Sequence, residues 1–179
     1  MFRKAMICLA LLPLTACAST GRVHDKDYLR AVSLSGTDAK TLTMTFFMDD
    51  SRDITVTGGD IVSALEAAEL ECGRPIFTGY TELVLLDGED SFEELEYILK
   101  EWKVSPSCIV TYGRGDVFRD KPAEALAGSV KQAVKQGEAP DSGIVTVLGE
   151  LLREGEAEVA WLTVEGVCGT HILKKAADH

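Results

Sequence analysis

The sequence has few residues of the kinds that hold metal ions or build disulfide scaffolds. It contains three histidines and five cysteines in 179 residues. The histidines, His24, His171 and His179, do not form a pair with zinc-ligand spacing on one element. A P-loop, a Cys-x-x-Cys pair and a glycine-flanked nucleophilic serine are also missing. We therefore expect neither a zinc site nor a cofactor.

Clusters of lysine and arginine are missing as well, and acidic residues outnumber basic ones. The 29 Asp and Glu residues against 18 Lys and Arg residues give a formal net charge of −11. An acidic surface repels nucleic-acid phosphates and anionic lipid headgroups. We therefore predict no nucleic-acid partner. Attachment to a membrane would have to come from a lipid rather than from a basic patch, and the folded part is expected to stand away from the bilayer.

The apolar run at the N-terminus is short. It covers residues 5–14 and follows Arg3 and Lys4. A helix needs about 20 apolar residues to cross a bilayer core of roughly 30 Å, so this run is too short to span. A basic start, a short apolar segment and small residues before a cleavage site are typical of a secretory signal. We predict that residues 1–16 are a signal peptide that is removed.

The signal ends in Leu14-Thr15-Ala16-Cys17, which resembles the lipobox of bacterial lipoproteins. The resemblance implies that Cys17 receives diacylglycerol on its sulfur and becomes the first residue of the mature chain. The protein would then lie outside the cytoplasm, lipid-anchored to the cell or spore inner membrane. The alternative is an ordinary secretory signal with an incidental Cys17. Residues 17–27 are small and polar, and we predict that they form a flexible tether.

Three further cysteines, Cys72, Cys108 and Cys168, would remain in the mature chain. An odd number argues against a disulfide scaffold and leaves room for one optional disulfide. Cys72 and Cys108 lie in apolar patterns, so we expect them to be buried as small hydrophobic residues. Cys168 lies between glycines and is expected to be more exposed.

The hydrophobic pattern predicts an α/β (α+β mixed) fold, with small mixed sheets packed with helices in two subdomains. Strands are predicted at 28–35, 41–48, 54–57, 82–86, 108–112, 159–164 and 170–173, with an acidic turn at 49–53. Helices are predicted from the N-cap Asp60 to Gly73, over 91–102 and 123–136, and between Asp141 and Gly155, the last with Ile144, Leu148, Leu151 and Leu152 as its apolar positions. We place an N-terminal α/β subdomain at 28–115. A second, mostly helical subdomain with closing strands follows at 116–179.

Groups able to carry out catalysis do not cluster along the chain. Asp49, Ser51 and Asp53 alternate as calcium ligands do, but Ile54 stands where a calcium loop needs glycine. No later glutamate completes that pattern. We predict that the chain is not an enzyme. A hydrolase would require clustered titratable groups with perturbed pKa values, and the sequence offers none.

The order of elements resembles that of the C subunits of bacterial spore germinant receptors, the Ger(x)C lipoproteins. A lipobox and two strands are followed by a helix that begins Asp60-Ile61-Val62, by Phe77-Thr78-Gly79-Tyr80, by an apolar strand and by an acidic helix. Tyr80 stands where that family usually has histidine. The segment 142–164 also resembles part of the family's second domain. The likeness covers roughly residues 17–165 and does not include the family's third domain, so the chain resembles a shortened form.

The resemblance implies a non-catalytic scaffold or coupling role in spore germination, with the polytopic A and B receptor subunits as partners. Cys17 is the position whose role transfers, and Phe77, Gly79 and Tyr80 form the candidate partner or ligand surface. The alternative is an envelope lipoprotein that binds a small ligand or another envelope protein and has no link to germination. An exposed apolar cleft near residues 77–80 would favour that alternative.

Overall fold

A computed structural model describes residues 25–88 and 92–175, with the backbone but not the side chains of residues 49–52. The predicted signal peptide, Cys17 and most of the predicted tether lie outside the described residues.

Within these ranges the chain forms one mixed sheet with helices on both faces, which confirms the α/β mixed class. The strands are β1 (Asp27–Ser35), β2 (Lys40–Phe46), β3 (Asp49–Gly58), β4 (Ile76–Phe77), β5 (Leu83–Asp87), β6 (Ile109–Tyr112), β7 (Glu156–Thr163) and β8 (Gly166–Lys174). The helices are α1 (Ile61–Cys72), α2 (Phe92–Lys100), α3 (Val117–Asp120), α4 (Ala123–Gln136) and α5 (Ile144–Glu154). The strand order is β3-β2-β1-β5-β6-β7-β8, and β4 pairs with the start of β1.

The sheet combines a parallel centre with antiparallel ends. Strands β1, β5, β6 and β7 run parallel, whereas β2 with β3 at one end and β8 at the other pair antiparallel. Parallel strands start at the same edge of a sheet, so the segments that precede β1, β5 and β6 come together at one edge. That edge holds the candidate site described below.

Each face of the sheet carries its own apolar core. In β5, Val84 and Leu86 face the core covered by α1, α2 and α5, whereas Leu83 and Leu85 face the core covered by α3 and α4. Successive strand residues point to opposite faces, and all four of these side chains are fully buried. Burial on both faces explains why this strand is a continuous apolar run in the sequence.

The subdomain boundary that we placed at 115–116 lies between β6 and α3, and the sheet continues across it. Thr111 in β6 pairs with Ala160 in β7, so strands on both sides belong to one sheet instead of separate small sheets. The glycine-containing segment between them is held by the backbone N–H of Gly113, which donates to the carbonyl of Leu86 at 2.9 Å. Val117 follows and is buried in the core that α3 and α4 cover, so the glycines allow a tight connection between β6 and α3.

Three local expectations differ from the structure. The predicted acidic turn at 49–53 is the extended first half of β3, because it pairs with the end of β2. Asp27, expected in the tether, is buried in β1 and forms an ion pair with Arg74 at 2.7 Å. Leu152, one of the apolar positions of the predicted last helix, is 63% exposed, because Leu148 and Leu151 already take the core-facing positions of α5.

The N-terminus of α1 is closed by the predicted N-cap. The Asp60 Oδ1 atom accepts a hydrogen bond from the backbone N–H of Ser63 at 2.7 Å, and the Ser63 Oγ atom accepts one from the backbone N–H of Asp60 at 3.0 Å. Two orphan backbone donors are thereby satisfied reciprocally. The hydrogen bonds from Ser63 lower the pKa of the Asp60 carboxyl below its ordinary value of 3.8.

We expect Asp60→Ala to lower the Tm by roughly 2–4 °C, because the cap oxygen is lost. Asp60→Asn keeps an acceptor oxygen and should lower the Tm by less. Because the folded-state pKa is lowered, the ionised cap stabilises the fold above pH 3.8, and this contribution disappears as the pH falls through the folded-state pKa. Thermal unfolding followed by circular dichroism between pH 3 and pH 7 measures both effects. An Asp60→Ala protein with an unchanged Tm at pH 7 would show that the cap contributes nothing.

Candidate functional site

Three aromatic side chains, the half-buried Tyr28 and the exposed Phe77 and Tyr80, form a cluster at the edge of the sheet where β1 begins. The ring centroids lie 5.6 Å apart for Tyr28 and Phe77, and 5.0 Å apart for Phe77 and Tyr80. Tyr28 and Tyr80 stack at 5.8 Å with an interplanar angle of 19°. Phe77 is 36% exposed and Tyr80 is 61% exposed. We call this cluster the aromatic corner.

The short strand β4 and the turn after it build the aromatic corner. Phe77 pairs with Tyr28 in parallel, which sets the two rings side by side. The backbone N–H of Thr81 donates to the carbonyl of Thr78 at 3.0 Å and closes the turn that carries Tyr80. A Cβ atom at Gly79 would lie 2.9 Å from the Phe77 ring, so only glycine lets that ring rest against the turn. The three predicted surface residues, Phe77, Gly79 and Tyr80, are therefore brought together.

Two cations and a neighbouring turn surround the aromatic corner. The Lys26 ammonium lies 5.9 Å from the centroid of the Phe77 ring. The Arg30 guanidinium lies 4.3 Å from the centroid of the Phe47 ring, at a distance typical of a cation–π interaction. Phe47 belongs to the turn between β2 and β3, and its backbone N–H donates to the carbonyl of Tyr28 at 3.0 Å. The next residue of that turn, Met48, is 81% exposed.

A cavity of about 270 Å³ opens beside the aromatic corner, where β5 and β6 begin. We call it the groove. Its lining comes from four separate segments of the chain: Phe47, the run 79–82, Ser105 with Ser107 and Cys108, and Lys131 on α4. A second cavity of about 260 Å³ shares Ser107 and Lys131 with the groove and extends along α4 to the start of α5. Ligands of open parallel sheets usually bind at the carboxyl ends of the strands, whereas the groove lies at the amino edge.

The groove combines hydroxyl groups with charges of both signs. The Oγ atoms of Ser105 and Ser107 lie 2.8 Å apart and share a hydrogen bond. The Glu82 side chain supplies a carboxylate, and the exposed Lys131 supplies an ammonium group. In the part of the chain that the structure describes, Lys131 takes part in no ion pair. The sequence did not single out these residues, because their proximity depends on strand pairing between distant segments.

Cys108 and Cys168 have the exposure that we expected, whereas Cys72, expected to be buried, is only partly buried. Cys108 is 1% exposed, Cys72 is half-buried and Cys168 is exposed. Burial, with a smaller contribution from the nearby carboxylate of Glu82, raises the pKa of the Cys108 thiol to about 12. Cys108 is therefore a neutral thiol at physiological pH and a poor nucleophile, although it borders the groove.

We expect Cys168 to react with iodoacetamide at pH 8 in the folded protein, and Cys108 to react only after unfolding in urea. Peptide mass spectrometry distinguishes the two sites, and the Cys168→Ser variant is the negative control for labelling at residue 168. The burial of Cys108 also predicts that stability falls as the pH rises above 9.0, the ordinary thiol pKa, because only the unfolded chain then releases this proton. Labelling of Cys108 at the rate of Cys168 without denaturant would contradict the buried position.

The described residues contain neither a metal-binding cluster nor a membrane-spanning helix. Among the side chains of the described ranges, no group of three or more His, Cys, Asp or Glu residues is arranged to hold a metal ion. No helix in residues 25–88 or 92–175 has the length and apolar character needed to cross a membrane. Comparisons with protein-family models, with curated proteins and with solved structures found no match.

Proposed function

We propose that the chain is an extracytoplasmic lipoprotein, anchored through Cys17, that binds a small ligand in the groove without catalysing a reaction. The basic start, the short apolar run and the small residues before Cys17 support the anchor. The observation that carries the binding role is the groove itself, a cavity with aromatic walls, hydroxyl groups and an ammonium group beside an exposed aromatic surface.

The lining indicates the chemical class of the ligand. A volume of about 270 Å³ suits a small metabolite, since the pockets that hold drug-sized ligands measure roughly 300–1,000 Å³. Lys131 and Glu82 offer partners for an anionic and a cationic group, and the rings of Phe47 and Tyr80 offer apolar contact. A zwitterion such as a free amino acid combines these features. We therefore propose amino acids as the ligand class.

Thermal unfolding of the purified protein in the presence of individual amino acids tests this proposal. A ligand at 100 times its Kd stabilises the folded state by about 2.7 kcal/mol, which raises the Tm of a chain of this size by roughly 5–11 °C. We expect Lys131→Gln and Glu82→Gln to abolish the increase. Lys135→Gln, one turn further along α4, is the matched control and should show the same ligand-dependent increase in Tm as the wild type. An equal increase in Lys131→Gln and the wild type would rule out the groove as the binding site.

A role in spore germination is the second candidate, and the order of elements supports it. Three antiparallel strands, β1, β2 and β3, precede α1 where the family has a pair. They are followed by α1, the segment 77–80, the buried strand β5 and α2, in the order that led to the resemblance with the Ger(x)C lipoproteins. Affinity purification of the tagged protein from spore inner membrane, followed by mass spectrometry, tests this role. Recovery of polytopic A and B receptor subunits is the expected result. A host that makes no spores, or recovery of the protein alone from vegetative membranes, would exclude it.

A further inference from the structure

We infer that the aromatic corner rests in the headgroup region of the phospholipid bilayer to which the chain is anchored. This inference rests on the proposed lipid anchor at Cys17, and it replaces the expectation that the folded part stands away from the bilayer with a contact at the aromatic corner. The evidence is the short distance along the chain between Cys17 and the aromatic corner, the fixed position of the corner at the start of β1, and the chemistry of its side chains.

The chain between the anchor and the fold is short. Nine residues, 18–26, lie between Cys17 and Asp27, where β1 begins, so ten residue-to-residue steps join the two. At 3.3–3.6 Å per residue, they reach at most about 35 Å even when fully extended. Tyr28 is the next residue of β1, so the aromatic corner is the part of the sheet that lies nearest to the anchor along the chain. A bilayer that holds Cys17 is therefore within reach of the corner.

The point at which the chain enters the sheet is fixed. The backbone N–H of Asp27 donates to the carbonyl of Pro75 at 3.0 Å, and the Asp27 carboxylate pairs with Arg74 at 2.7 Å. These contacts join the start of β1 to the segment that leads into β4, which carries Phe77. The aromatic corner therefore keeps a fixed position relative to the point at which the chain enters the sheet.

The side chains of the aromatic corner, of which Phe77 and Tyr80 are exposed and Tyr28 is half-buried, match the membrane interface. Tyr28 and Tyr80 combine an apolar ring with a polar hydroxyl, the combination enriched where bilayer meets water. Phe77 and the neighbouring Met48 add exposed apolar surface, and Lys26 lies over the Phe77 ring, where its ammonium can meet lipid phosphate. The net charge of −11 disfavours an anionic bilayer, so zwitterionic phospholipid is the surface that fits. Salt screens charges beyond about 10 Å, so the groups at the corner dominate local contact.

Tryptophan reporters in the full-length, lipidated protein test this inference. Tyr80→Trp and Met48→Trp each place a reporter at the corner, and Leu152→Trp places one on α5 at a position with similar exposure to Tyr80. The proteins are reconstituted into phosphatidylcholine vesicles with or without phosphatidylcholine brominated on its acyl chains, which quenches tryptophan at the interface. Wild-type emission from Trp102 and Trp161 is subtracted. Circular dichroism confirms that each variant is folded.

We expect bromine-dependent loss of emission and a blue shift for Tyr80→Trp and Met48→Trp, and neither change for Leu152→Trp. Quenching at none of the positions in vesicle-bound protein, or equal quenching at all three, would overturn the inference and leave the proposed function intact. Failure of the wild-type protein to stay with vesicles would overturn the lipid anchor and this inference with it. Cosedimentation of the wild type with vesicles therefore tests the lipid anchor, and the emission spectra test the contact between the aromatic corner and the bilayer.

Discussion

The Cys17→Ala protein is expected in the soluble fraction of disrupted cells, whereas the wild type is expected in the membrane fraction. The substitution removes the only sulfur that the predicted lipobox presents for diacylglycerol. The fold should be unchanged, because Cys17 precedes the first residue of β1 by ten positions. Alkaline carbonate washing followed by immunoblotting measures the distribution, and the mass of the N-terminal peptide shows directly whether the lipid is present.

Cys168→Ala is the matched control for this experiment. It removes an exposed thiol from the folded part and should leave the protein on the membrane. Retention of the Cys17→Ala protein in carbonate-washed membranes would refute lipidation as the anchor. In that case something other than a lipid on Cys17 would hold the protein on the membrane, and the proposed contact between the aromatic corner and the bilayer would lose its basis.

Gly58→Ala is expected to cost roughly 1–3 kcal/mol of unfolding free energy, because it overpacks the junction between β3 and α1. A Cβ atom at residue 58 would overlap the backbone nitrogen of Ala64 and lie 2.7 Å from the Oγ atom of Ser63. The helix cannot easily move away, since the Ala64 N–H donates to the carbonyl of Asp60 at 3.0 Å within the capped first turn. Urea denaturation followed by circular dichroism measures the loss.

The adjacent Gly59 offers a control one residue away. A Cβ atom there would have its nearest neighbour, the Ser63 Oγ atom, at 4.0 Å, so Gly59→Ala meets open space. We expect it to be neutral or to stabilise the protein by about 0.4–1 kcal/mol through reduced freedom of the unfolded chain. Equal losses of unfolding free energy in Gly58→Ala and Gly59→Ala would show that contact between residue 58 and α1 does not cause the destabilisation.

Local patterns in the sequence predicted much of the secondary structure. Helix α4 spans Ala123–Gln136 as predicted, and Gly137 ends it with a left-handed φ of 75°. Asp60 caps α1, and the apolar run before Gly88 is the buried strand β5. These elements are determined by side-chain periodicity and by caps that lie within a few residues of one another. Information of this kind is present in a short window of sequence.

Features that depend on distant pairing were missed. The two-residue strand β4 was read as part of a connector, because only its contact with the start of β1, almost 50 residues earlier, makes it a strand. The pairing of β6 with β7 likewise joins residues about 50 positions apart and removes the separation into small sheets.

The candidate site was predictable only in part. Phe77, Gly79 and Tyr80 were singled out by a resemblance in element order, and the structure brings them together. The groove was missed because its lining comes from four segments that meet only when the sheet forms. Its serines and Lys131 have no distinguishing pattern in the sequence. The use of this site remains a proposal that the ligand and vesicle experiments test.

The strand order also has a consequence for the order of folding. Strands β1, β2 and β3 are consecutive in sequence, so they can pair as soon as the first 58 residues are available. The other edge of β1 must wait for β5, which ends at Asp87, and the sheet is complete only when β8 arrives. Long-range pairing slows folding and leaves strand edges open to other chains in the meantime. We therefore expect nascent chains that end between residues 58 and 87 to be the ones that aggregate most readily.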